Sequence, residues 1–320
     1  MRTRVVSLFS MAIVSLFTLV AASDASATAT PVSMACAATP TAAVPYPQSI
    51  TDDAGRMVSI ARTPERIVSI APSNTEILYA LGLEDRVVAV DSYSNYPPAA
   101  TAKPQVGDYV DPDLERVAAA SPDLIFATDV HVLTVVPALE ALGLPVVVLE
   151  PANIDEVFAD ILLVGAVTSE SDRAERLVCD LQARVDAVTV AIAGSPRPRV
   201  FFELSPDLFT AGPGSFVADV IERAGGENIA AGAAEMWPQL SAEAVVSANP
   251  EVILLADHEA GVTADQVAAR AGWRSLDAVG DSRIVPIVSD LVARPGPRVV
   301  DGLEAIAAAL HPDRFPGSGS

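Results

Sequence analysis

Two stretches of this chain, 128 positions apart, carry the same order of residues. The first runs Tyr109, Glu115, then Pro122-Asp123-Leu124-Ile125-Phe126. The second runs Trp237, Glu243, then Pro250-Glu251-Val252-Ile253-Leu254. Each has an aromatic residue, a glutamate six positions on, and a proline seven after that. Each closes with an acid and an apolar run that ends at Asp129 or Asp257. A repeat at this separation predicts two similar half-molecules, each presenting one aromatic and one acid. Two like lobes facing each other make a clamp.

Composition fits that size. At 320 residues the chain has room for two ordinary domains. It is 51% hydrophobic and 19% charged, which predicts a sizeable core rather than disorder. The formal charge of −21 excludes a nucleic-acid binder, which needs a basic face, and allows an acidic surface that seeks a basic partner.

The N-terminus reads as a targeting signal over 1–27. Arg2 and Arg4 precede an apolar run from Val5 to Ala22, and Ala25-Ser26-Ala27 offers a small-residue cleavage site. An uncleaved anchor is the competing reading, because the run is near the lower limit for crossing a bilayer. Residues 28–48, rich in Ala, Thr, Pro and Ser, read as a flexible tether. Together these predict a protein exported and held near the outer face of a membrane, periplasmic or tethered. Cys36, after Ser33-Met34-Ala35, weakly resembles a lipoprotein acylation site displaced from its apolar run. Cys179, the other of two cysteines, falls in a helical pattern and reads as a buried, inert thiol; a disulfide framework is not supported.

From Ser49 the patterns read as a hairpin to Ile60, then strands alternating with helices, the signature of parallel α/β architecture. Ala174, Leu177, Val178, Leu181, Val185 and Val188 recur at helical spacing. The stretch Ser169–Ile192 lacks Gly and Pro, so it predicts a long helix joining two domains as a strut. Arg199-Val200-Phe201-Phe202-Glu203 opens a second strand–helix series. The expected fold is thus two similar α/β lobes, 49–165 and 196–316, joined by a long helix over 166–195, with a disordered tail at 317–320.

The repeated residues have plain readings. Asp113 and Ser241 stand two residues before Glu115 and Glu243 and are good helix N-caps, and a glutamate in a first turn suits the helix dipole. Tyr109 and Trp237 lie in polar contexts, more like ligand-contacting loops than core strands.

At these residues the chain resembles the solute-binding components of ABC importers for cobalamin, siderophores and haem. The likeness runs from about Ser49 to Phe315. It is carried by Arg66–Glu76 (RIVSIAPSNTE), Asp113-Leu114-Glu115-Arg116-Val117, Pro122–Ile125, Gly272-Trp273 and Gly296-Pro297-Arg298. Within the family the cobalamin-binding proteins are most similar. Ser92–Pro98 resembles their first-lobe loop, which implies that Tyr93 contacts the corrin. Trp237–Ser241 resembles the second-lobe loop, which implies that Trp237 packs on the ligand. The resemblance also implies that Asp290 and Arg294 meet the ligand's polar rim, although an i, i+4 surface pair would look the same. Tyr109 stands where a tryptophan is usual, and the region 204–209 does not match. The family further implies that Glu115 and Glu243, one per lobe, dock onto arginines of a two-fold permease with its ATPase subunits. The binding protein itself would be a monomer.

The rival class is a secreted α/β enzyme, but no Gly-x-Ser-x-Gly, His-Glu-x-x-His, phosphate-loop or Gly-x-Gly-x-x-Gly motif is present. His131, His258 and His311 show no metal-ligand spacing, so no metal site, cofactor or catalytic residue is expected. The ligand contest is between cobalamin, a ferric siderophore, which would want several basic side chains, and haem, whose iron Tyr93 or Tyr109 could hold.

Overall fold

The computed structural model describes residues 45–316. The expected signal segment, the tail and all but the last four residues of the expected tether lie outside them. Strands β1 (Gln48–Thr51) and β2 (Met57–Ile60) form an antiparallel hairpin. The first lobe follows with β3 (Ile67–Ser69), α1 (Pro72–Ala80), β4 (Val87–Val90), α2 (Leu114–Ala119), β5 (Leu124–Ala127), α3 (Val135–Ala141) and β6 (Val146–Val148). Then come α4 (Ile154–Thr168) and α5 (Ser171–Ile192). The second lobe runs β7 (Arg199–Glu203), α6 (Phe216–Arg223), β8 (Glu227–Asn228), α7 (Ala242–Ala248), β9 (Val252–Leu255), α8 (Ala264–Ala268), α9 (Asp277–Gly280), β10 (Ile284–Pro286), α10 (Ser289–Ala293) and α11 (Val299–Leu310).

Each lobe holds a four-stranded, all-parallel sheet, ordered β4-β3-β5-β6 and β8-β7-β9-β10. Counted in order of appearance, both are 2-1-3-4, so the internal repeat is a repeat of topology. The repeated segments occupy matching places. α2 and α7 begin at Leu114 and Ala242, and β5 and β9 at Leu124 and Val252, each pair 128 positions apart.

All residues of β5, β6 and β9 are buried, as parallel strands covered on both faces must be. Alternate residues serve different cores. Ile67, Leu124 and Phe126 of the first sheet share one cluster with Val200, Phe202 and Leu254 of the second, through α4, α5 and α11. The other faces pack separate clusters, one around Ile70 and Ile125, one around Phe201 and Trp273. The described residues of both lobes belong to one compact unit.

The connection is two helices. Ser169, in the left-handed region at φ 62°, ends α4, and α5 starts two residues on and folds back along it. A Cβ on Gly165 would lie 2.4 Å from that of Ala174, so only glycine lets the pair approach this closely. α4 packs on α1 of the first lobe and α6 of the second, and α5 packs on α11. Arg184 ties α5 to α11 through Asp301 (2.5 Å) and Glu304 (2.6 Å).

One expectation is corrected here. Cys179 is disulfide-bonded, not a free thiol. The sequence has one other cysteine, Cys36, which lies outside the described residues.

The hairpin closes the open edge of the first sheet. Asp53 N–H donates to the Val148 carbonyl (3.2 Å), while Val148 N–H and Glu150 N–H donate to the carboxylates of Asp52 (3.1 Å) and Asp53 (2.6 Å). An exposed edge strand is thereby capped by side chains, and the chain leaving β6 is held in place.

Candidate functional site

In open parallel sheets, ligands sit beyond the carboxyl ends of the strands, where the strand order reverses. A cavity of ≈ 540 Å³ lies there, between the lobes. The first lobe supplies Pro72 and Ser73 after β3, Thr128 and Asp129 after β5, and Glu150 after β6. The second supplies Phe216, Met236, Trp237, Asp290 and Arg294. Tyr93, Tyr109, Trp237, Asp290 and Arg294, far apart in the chain, all line it.

Tyr93 projects from the loop after β4. Buried Asp91 shapes that loop, accepting from Tyr93 N–H (2.8 Å) and from the Ser94 hydroxyl. Ser94 in turn meets Thr75 of α1 at 2.7 Å. Burial pushes the Asp91 carboxyl up, while the hydrogen bonds from Ser94 and Tyr93 oppose that push. Tyr93 itself is 53% exposed.

Tyr109 is the more tightly held wall. Its hydroxyl meets Thr128 Oγ1 at 3.2 Å, and its ring stands edge-on to His131 with centroids 5.6 Å apart. His131 Nε2 donates to the Tyr109 carbonyl (2.5 Å), and its Nδ1 accepts from Thr128 N–H (3.1 Å). This pair of bonds requires the neutral ring protonated on Nε2. Burial lowers the His131 pKa and raises that of Tyr109.

Trp237 belongs to a segment laid against 208–212: Gly212 N–H donates to Met236 O (2.8 Å), Thr210 N–H to Pro238 O (3.0 Å) and Leu240 N–H to Leu208 O (3.1 Å). A Cβ on Gly212 would come 2.2 Å from Glu235 O, so glycine is required there. Trp237 is 40% exposed and Met236 51%. With Tyr93 and Val110 they form an apolar cavity mouth, the kind of exposed patch that marks a binding surface.

Asp290 and Arg294 pair across one turn of α10 at 2.9 Å. Arg294 also donates to Asn95 Oδ1 of the first lobe (2.6 Å) and lies 3.7 Å from Glu76. It is the only basic side chain on the cavity among the described residues, beside Asp108, Asp129, Glu150 and Asp290. Burial raises the Glu150 carboxyl, and neighbouring Asp129 and Asp53 add to that.

Glu115 and Glu243 are exposed residues in the first turns of α2 and α7, outside the cavity. Asp113 caps α2 by accepting from Glu115 and Arg116 N–H (both 3.1 Å), and Ser241 caps α7 through Ala244 N–H (3.1 Å). Both glutamates stay exposed, and hydrogen bonds from its own backbone N–H and from Ser241 lower the Glu243 pKa, so that carboxylate also takes part in its helix cap. Reading the residues missed the roles of His131, Asn95, Glu76 and Arg298; the last three stood inside motifs already singled out. Among the described residues no cluster of metal-ligating side chains occurs and no helix is long and apolar enough to cross a membrane.

Two like α/β lobes closing on a cleft at their strand ends define a two-lobed binding protein. Residues 67–291 match the model of a family described as periplasmic binding protein, and the chain belongs to that family. It is 33% identical over 279 residues to an uncharacterized ABC transporter substrate-binding lipoprotein, YvrC, of Bacillus subtilis, covering 84% of this chain and 87% of that one. It is 31% identical over 281 residues to a cobalamin-binding protein of Halobacterium salinarum, covering 83% and 74%. Among solved structures, the periplasmic heme-binding protein RhuT from Roseiflexus sp. RS-1 superposes with a TM-score of 0.70 at 28% identity, covering 78% of this chain and 99% of that one.

Proposed function

We propose that this protein is an exported, non-enzymatic binding protein that captures a corrinoid between its lobes and delivers it to an ABC-transporter permease. The observation that carries the ligand is the cavity's pairing of aromatic walls with an acidic charge balance. Tyr93, Tyr109 and Trp237 suit a large flat molecule. The single cation, Arg294, is already matched by Asp290, Asn95 and Glu76. An anionic ferric siderophore or the propionates of haem find no uncommitted positive partner, whereas the neutral amides of a corrinoid can donate to Asp108, Asp129 and Glu150. His131 faces away from haem ligation because both ring nitrogens are engaged. The cobalamin-binding relative supports this choice; the heme-binding neighbour keeps haem as the rival.

The Glu115–Glu243 pair supports delivery. Two solvent-facing acids on topologically equivalent helices suit a partner with two equivalent basic pockets, where charge-assisted pairs set register. The lipoprotein relative and the N-terminal signal pattern support a place outside the cytoplasmic membrane, and a monomer is the expected state.

The test is titration of the purified mature chain with cyanocobalamin, haemin and a ferric siderophore, followed by absorbance and calorimetry. Micromolar or tighter binding of cyanocobalamin alone is expected. Binding of haemin or the siderophore in its place would overturn the corrinoid assignment.

A further inference from the structure

Among the described residues, and apart from the paired connecting helices, a polar contact set crosses between the lobes at the cavity edge. Glu76, on α1 of the first lobe, is 3% exposed. Its carboxylate accepts from Arg298 Nε (2.8 Å) and Nη2 (2.5 Å), a forked pair from the second lobe. Arg298 also lies over the ring of Tyr96, 3.8 Å from its centroid. Arg294 reaches Asn95 and Glu76 from the same second-lobe loop. Between the two arginines, Gly296 runs so close to α1 that a Cβ would lie 3.3 Å from Ser73 O. The loop 294–298 is therefore clasped by the first lobe while Arg294 forms part of the cavity wall.

A carboxylate this buried is costly to place unless it is paired, so the contact exists only while the lobes keep this separation. Residues that hold one another across a cleft before ligand arrives reduce the ordering cost of binding. Glu76 does not line the cavity; its carboxylate contacts the guanidinium groups rather than the open space where a ligand would lie.

We infer that Glu76 is a positioning residue whose clasp on Arg298 and Arg294 sets the width of the interlobe cleft and the orientation of Arg294 within it. The inference rests on the cavity being the ligand site, but the width it sets is measurable without ligand. The interlobe distance is read by electron–electron resonance between spin labels at exposed Asp85 and Asp281, one per lobe, in the full mature chain. Glu76→Gln should broaden and lengthen that distribution, and Arg298→Lys, which keeps the charge but loses the fork, should do so to a smaller degree. Cyanocobalamin dissociation from Glu76→Gln should quicken by about tenfold or more, with Arg298→Lys in between. A purely local structural role would lower the melting temperature and leave both readouts unmoved. Distance distributions matching the native in folded Arg298→Lys and Glu76→Gln would overturn the clasp; should Glu76→Gln fail to fold, Arg298→Lys alone decides. A native chain that ignores cyanocobalamin while its variants broaden would sink the corrinoid reading and leave the clasp standing.

Discussion

His131 stands behind Tyr109, donating to its carbonyl and meeting its ring edge-on, so a buried imidazole sets the position of a cavity wall. The neutral ring is needed because Nδ1 accepts from Thr128 N–H. Burial holds its pKa below the ordinary 6.5. A depressed folded pKa means that the stability it contributes is fully present above about 6.5 and is lost as pH falls through the folded value. The melting temperature of the native chain should therefore drop more between pH 7 and pH 5 than that of His131→Gln. Parallel pH profiles would remove His131 from this role.

Asp160 of α4 titrates in the opposite sense. Burial first, then the nearby Asp53 carboxylate, push it up to about 9. Its stability contribution is present below the unfolded value of 3.8 and is lost as pH rises toward 9. Asp160→Asn should gain stability over the native chain progressively from pH 5 to pH 9 in urea unfolding. A constant difference would show that the carboxyl does not stay protonated.

Trp237→Ala should raise the Kd for cyanocobalamin by about tenfold or more, since a stacked aromatic contributes about 1 kcal/mol beyond the area it buries. Calorimetry on the folded variant measures this directly. Unchanged affinity would take Trp237 out of the binding surface.

Glu115→Arg combined with Glu243→Arg should leave ligand affinity intact and abolish uptake. Both side chains are exposed and distant from the cavity lining, so folding should be undisturbed. Persisting uptake in cells expressing the double variant would refute the docking assignment.

Arg270 forks onto Glu203, a carboxylate with no exposure at the end of β7, at 2.7 and 2.5 Å, and stacks 4.7 Å over Trp273. Arg270→Ala should cost about 3–5 kcal/mol in chemical denaturation, because it strands a buried charge. A loss within about 1 kcal/mol would place this pair with ordinary surface bridges.

The alternation of strands and helices, the caps Asp113 and Ser241 and the two-lobed plan were legible because they are local or periodic. A parallel strand buried on both faces reads as an apolar run, and a capped helix announces itself within four residues. The resemblance, not the periodicity, picked out Tyr93, Asp290 and Arg294, and the structure places them on one cavity with Tyr109 and Trp237. The fold-back of α5 on α4 at Ser169 was not legible, because the helical periodicity predicts that a helix forms and not which way the chain turns before it.

By itself the sequence determined that there are two like halves, through a repeat 128 positions apart, and both halves build the same strand order. Tertiary structure alone decided how those halves meet. Glu76 and Arg298 are 222 positions apart and His131 and Tyr109 are 22 apart, with no periodicity linking either pair. Such contacts depend on where whole sheets and helices pack, and on burial that makes an unpaired charge or ring nitrogen too costly to leave. That packing brought the repeated aromatics to one cavity and left the repeated acids in solvent.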